Sequence, residues 1–189
     1  MRHLPKSYTS KNHETLGSDV LSVLHATTAP EKVFPPELLA RLRAVKPDGW
    51  YPVSLMHEAV DRLEASEKVT GLKLMGMAIF KHSHAEGVKK TVTSAHQLLH
   101  GLDGLYRNAN RGQGIGGWRV LSFGAGKAEL EKTTPHHCSI EEGLLAQAFA
   151  TVGCPSLVTQ RECVRHGADA CTFVVESMVT DHRWTGKRP

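Results

Sequence analysis

The segment SIEEGLLAQAFATVG, residues 139–153, most constrains how this chain can fold. Ser139 stands where an N-cap belongs, Glu142 follows three positions later as its capping-box partner, and Gly153 supplies a C-terminal stop. The spacing predicts one amphipathic helix with defined ends. Before it, WRVLSFGAGKAELEKT reads as two strands joined by a Gly-Ala-Gly turn, and after it SLVTQRECVRHG and ACTFVVESMV read as a second hairpin. The order strand, strand, helix, strand, strand predicts an α+β fold, an antiparallel sheet covered by a layer of helices.

Upstream of about Asn108 the chain reads as helical. SDVLSVLHA fits a short helix or a strand, and PPELLARLRAV opens with proline and carries apolar residues at helical spacing. VSLMHEAVDRLEA places Leu55, Val60 and Leu63 on one face and leaves Asp61, Arg62 and Glu64 for water. Further helices are expected over 69–80 and 88–107. Residues 1–17 and 181–189 lack periodicity and are expected as flexible tails around a single domain over 18–180. With 189 residues and 40% hydrophobic content, one core is sufficient.

Composition and charge ask for neither a nucleic-acid nor a membrane partner. The net charge of +4 is mild, and Lys and Arg are dispersed rather than run together as in a nucleic-acid arm. The run from Leu72 to Phe80 is broken by Lys73, too short and too charged to span a bilayer, and MRHLPKSYTSKNHE has no apolar core of a secretory signal. A cytoplasmic protein with no nucleic-acid or membrane partner is expected. In a reducing compartment its four Cys are thiols or metal ligands rather than disulfides.

GQGIGG matches the dinucleotide fingerprint through Gly112, Gly114 and Gly117, but it follows a helix and opens a strand. That is the reverse of the order that aims a helix N-terminus at pyrophosphate. GAGKA lacks the hydroxyl residue after Lys127 that a P-loop needs. No G-x-S-x-G elbow is present, and Glu141 and Glu142 are explained by the helix cap and dipole, so catalysis is not expected. His96 and His100, four apart, point from one helix face and can reach a metal or haem, although Gln97 rules out an H-E-x-x-H protease. His82 and His84 form a weaker pair beside a turn. His136, His137 and Cys138 precede the capped helix, Cys154 ends it, and Cys163 and Cys171 flank the last turn. These are soft or borderline ligands without a C-x2-C knuckle, a dispersed set that only folding could gather.

The run CVRHGADACTFVV from Cys163 resembles the C-terminal signature of the 4-vinyl-reductase domain superfamily. DVLSVL, PPELLARL and GWYPVSLMHEAVDRL are similar to a family of short myxobacterial proteins. The resemblance implies a mixed fold that dimerises and binds small hydrophobic molecules, with a zinc ion held by an upstream Cys, a Glu and the paired Cys. Carried over, these are Cys138, Cys163 and Cys171; the Glu position is Gln160, leaving Glu162, His137 or Cys154 to complete the set. The implied pocket lies between sheet and helices, with Met56, Met75, His96 and His100 on the helical side and Trp118 and Phe123 from the first strand pair.

The resulting expectation is a small-molecule-binding or sensory module, a homodimer with a zinc-stapled hairpin, reporting through a separate signalling protein. One alternative is a haem- or metal-dependent binding protein with His96 or His100 as axial ligand. The other is a protein-interaction scaffold resembling vesicle-transport particle subunits.

Overall fold

The computed structural model describes residues 12–66 and 69–186, which include residues before the expected domain boundary. Strand β1 (Glu14–Leu16) pairs antiparallel with β2 (Trp50–Pro52) on one side and β3 (Asn110–Arg111) on the other. His13 and Thr15 are buried, so this part of the expected tail is a core strand. Its partners lie far along the chain, which is why no local periodicity marks it.

The helical layer follows the apolar spacing. It comprises α1 (Gly17–Ala26), the single-turn α2 (Pro30–Val33), α3 (Pro36–Arg43), α4 (Val53–Ser66) and α5 (Val69–Ser83). Pro36 opens α3 at a position where its missing N–H costs nothing, and Leu38, Leu39 and Leu42 face inward. On α4 the inward set is Leu55, Val60 and Leu63, as the spacing predicts, joined by Ala59.

The helix expected over 88–107 is two helices, α6 (Ala85–Thr91) and α7 (Ala95–Ala109). The chain is extended at Val92, and Ser94 starts a new helix by accepting the Gln97 N–H at 3.2 Å.

Strands β4 (Trp118–Gly124), β5 (Lys127–Lys132), β6 (Ser156–Glu162) and β7 (Cys171–Ser177) form one antiparallel sheet in the order β4-β5-β7-β6. Between the two hairpins runs α8 (Cys138–Thr151). The architecture is therefore the expected α+β arrangement of helices on an antiparallel sheet. The expected cap is displaced by two residues: His137 is the N-cap, its Nδ1 accepting the Ser139 N–H at 3.2 Å, while Glu142 turns to Lys73 Nζ at 2.6 Å. Tertiary contact decided this, because α8 is buried on nearly every side. Gly143 touches α5 so closely that a Cβ there would sit 1.8 Å from the Lys73 carbonyl oxygen.

Two apolar clusters result. One gathers α1, α3, α4 and α5 around Leu42, Leu63 and Leu72; the other gathers α7, α8 and the sheet around Leu130, Phe149 and Phe173. The expected C-terminal tail adds to the second. Asp181 caps the short α9 (His182–Thr185), and Trp184 is 0% exposed, its Nε1–H donating to the Gly124 carbonyl at 2.6 Å. No helix among the described residues is long and apolar enough to cross a membrane.

Candidate ligand cavity and thiol cluster

Where the two clusters meet, the packing leaves a recess. Ile79 and Phe80 of α5, Leu102 and Leu105 of α7, Leu144 of α8 and Trp118 of β4 supply its apolar surface. The whole recess measures about 710 Å³ including its solvent-open mouth, and about 90 Å³ of it admits the centre of a water-sized sphere. Apolar walls with a few convergent polar groups are the usual composition of a small-molecule site.

Those polar groups are buried and organised. Asn110, at the end of α7, donates from Nδ2 to the Tyr106 carbonyl at 3.0 Å, which orients its Oδ1 toward His136 Nε2 at 2.9 Å. His136 Nε2 is then the proton-bearing nitrogen, and His136 Nδ1 has no partner among the described residues. Burial first, then the charges of His57 and Lys132, hold the His136 imidazole well below the usual histidine range, so it is neutral. The Tyr106 hydroxyl donates to the Ile115 carbonyl at 2.9 Å, and burial raises its pKa.

Opposite lie two carboxyl groups. Asp19 faces His84 Nε2 at 3.2 Å; burial alone would depress the His84 pKa, but the Asp19 hydrogen bond and charge outweigh it and the net shift is upward. Glu141, 5% exposed, accepts from Thr134 Oγ1 at 3.3 Å, and burial pushes its carboxyl up despite the nearby Lys132.

A second constellation lies at the start of α8. Cys138 enters from the helix, Cys163 from the end of β6 and Cys171 from the start of β7. The β6–β7 connection makes this possible: a 3₁₀ turn over Val164–His166 ends at Gly167 with φ 93°, folding the two thiols back onto the helix. The Sγ atoms of Cys138 and Cys171 are 3.4 Å apart, those of Cys138 and Cys163 are 3.8 Å apart, and all three lie within 4.8 Å of one another. The hydrogen bond to Cys171 first, then burial, holds the Cys138 thiol far above the usual thiol range. Lys132 Nζ, 3.4 Å from Cys138 Sγ, acts in the opposite direction, and the Val164 N–H lies 3.4 Å from Cys171 Sγ.

The residues singled out in the sequence are thus divided between several places. Cys138, Cys163 and Cys171 converge. Cys154 is buried elsewhere, outside the group, and His137 has both ring nitrogens engaged, Nδ1 by Ser139 and Nε2 by Glu64 at 2.9 Å. Glu162 is exposed. Met56 and Trp118 line the cavity, Met75 packs in the helical core, and Phe123 stacks on Trp184 with ring centroids 5.3 Å apart. His96 and His100 lie on the exposed face of α7 with centroids 4.4 Å apart, and neither lines the cavity. Sequence reasoning passed over Asp19, Tyr106 and Asn110, and read Glu141 only as part of the helix start. Each sits inside an ordinary helical or turn pattern, and only the burial of a polar side chain at that point marks it.

No protein-family model matches the chain, and no curated protein matches it. Solved structures do. An H-NOX protein from S. oneidensis in the Fe(II) ligation state superposes with a TM-score of 0.67 at 17% identity, covering 88% of this chain and 98% of that one. An Fe(II) unliganded H-NOX protein from K. algicida gives 0.61 at 13% identity over 87% and 97%. An oxygen-binding H-NOX domain related to soluble guanylate cyclases, in its oxygen complex, gives 0.60 at 11% identity over 92% and 97%. These neighbours correct the 4-vinyl-reductase resemblance, which rested on one short hairpin, whereas the superposition spans both layers. The chain has the fold of the H-NOX domains.

Proposed function

We propose that this chain is a ligand-sensing module whose binding site is the cavity between its two apolar clusters. The observation that carries the reading is the position of that cavity. Its wall draws Ile79 and Ile140 from one cluster and Leu102, Tyr106 and Trp118 from the other, so an occupant touches both and changes how they pack. Sensing, rather than catalysis, suits a site whose described residues include no nucleophile–base pair. Homodimerisation and output through a separate signalling protein belong to this reading.

Haem is the first occupant the likeness suggests, and it takes precedence over zinc because the solved neighbours are described in Fe(II), Fe(II)NO and oxygen-bound states. His136, His84 and Tyr106 are the cavity residues that offer donors to iron, in place of His96 and His100. The wall as a whole does not fit the group. Its free centre of about 90 Å³ is far too small to enclose a porphyrin. Asp19 and Glu141 line the cavity, and among the described residues no Lys or Arg does so to meet a porphyrin's carboxylates.

The cavity reading is tested with toluene as an apolar probe. Toluene is expected to bind and to raise the melting temperature in a concentration-dependent way, and Leu105→Trp, which fills the recess, is expected to abolish both effects while the protein stays folded. An unchanged response in Leu105→Trp would place the binding elsewhere. Haemin added in parallel gives a Soret band only if the cavity opens to accept it.

The thiol cluster favours a second, structural role. We propose that Cys138, Cys163 and Cys171 hold one thiophilic cation, zinc by ligand type. Cys171→Ser should lose the bound equivalent in elemental analysis and about 2 kcal/mol of stability, a fall of roughly 4–8 °C in melting temperature. Full stability with no metal in the wild type would leave the three thiols as apolar packing.

A further inference from the structure

We infer that the cavity takes a small apolar molecule, about the size of a single six-membered ring, carrying one hydroxyl or N–H that donates to His136 Nδ1. The inference rests on the cavity being the ligand site and goes further by naming the chemistry of its occupant.

Size follows from the free space. A centre of about 90 Å³ accommodates a few non-hydrogen atoms fully enclosed, with the remainder of a ring reaching toward the open mouth. Larger flat groups would have to part α5 from α7 and α8.

Polarity follows from a chain of hydrogen bonds. Tyr106's carbonyl fixes the amide of Asn110, and Asn110 Oδ1 can only accept, so His136 must present its proton at Nε2. Nδ1 is left with a lone pair. His136 is 7% exposed, and among the described residues nothing donates to that atom. A buried acceptor without a donor is rare and costly unless a ligand or ordered water completes it. Of the other polar wall groups, the Tyr106 hydroxyl bonds Ile115 and Glu141 bonds Thr134, while Asp19 Oδ1 is ion-paired with His84 Nε2 at 3.2 Å but, like His136 Nδ1, lacks a well-aligned hydrogen-bond donor among the described residues. Asp19 has the His84 ring beside it, so His136 Nδ1 is the wall acceptor with no contact of either kind, and a ligand's donor completes it as a donor-bearing ring would and a plain hydrocarbon would not. Anionic ligands are disfavoured because Asp19 and Glu141 stand in the same wall.

Phenol and toluene, nearly equal in size, test this by titration calorimetry. Phenol is expected to bind about tenfold more tightly than toluene, the worth of one buried hydrogen bond. His136→Phe should erase the difference while toluene still binds. A measurement on the wild type guards against a variant that fails to fold: the ¹⁵N resonance of His136 Nδ1 should move on adding phenol and stay put on adding toluene. Equal affinity for the two probes, with a still Nδ1 resonance, would overturn the donor assignment and leave the cavity reading intact. Failure of both probes to bind would overturn the two together. Benzoate binding as tightly as phenol, or haemin binding one to one with a Soret band, would also overturn the assignment.

Discussion

Gly143→Ala is expected to cost about 3 kcal/mol, measured as a lowered urea midpoint at constant slope. The cause is backbone contact between α5 and α8. A Cβ at Gly143 would lie 1.8 Å from the Lys73 carbonyl oxygen and 2.7 Å from its carbon, and a Cβ at Gly76 would lie 1.9 Å from the Ile140 oxygen. None of these atoms is the end of a flexible side chain, so the helices themselves must separate. Gly76→Ala should cost a similar amount, and the double variant less than the sum, because the first methyl already parts the pair. A loss below about 1 kcal/mol for either single variant would mean that the helices do not meet through their glycines. The same separation would widen the cavity, since α5 and α8 both line it through Ile79 and Ile140.

Trp184→Ala is expected to cost about 3–5 kcal/mol, the usual range for removing a fully enclosed aromatic ring. The indole is 0% exposed, lies nearly parallel to Phe123 and Phe149 at centroid distances of 5.3 and 6.0 Å, and donates to the Gly124 carbonyl. Its loss empties a site at the junction of α8 and the β4–β5 turn. Removal of residues 181–189 should destabilise as much as the point variant. A truncated chain that melts with the full one would show that the segment is an ornament rather than part of the core.

Much of the fold was legible because it is locally encoded. The α3 and α4 faces, the Gly126 turn between β4 and β5, and the hairpin through Gly167 all follow from spacing and turn chemistry, and each formed where expected. Misreadings occurred where a distant partner overrode the local signal. Glu142 pairs with Lys73, sixty-nine residues away, instead of completing a cap, so His137 assumes that task. Lys132 occupies an inward position of β5 that alternation reserves for apolar residues, and it is held there by the His136 carbonyl and Cys138. The His pair on α7 had suitable spacing but the wrong face, since Leu98, Leu99 and Leu102 claim the buried side.

By itself, the sequence determined the α+β class, the order of most elements and the ligand types of the thiol cluster, since periodicity, caps and side-chain chemistry are properties of neighbouring residues. Only the tertiary structure decided that Cys138 meets Cys163 and Cys171, that His136 is left with a bare nitrogen beside a cavity, and that Thr15 and Trp184 belong to the core. Those outcomes depend on which surfaces bury one another, and an isolated stretch of chain carries no record of its partner's shape.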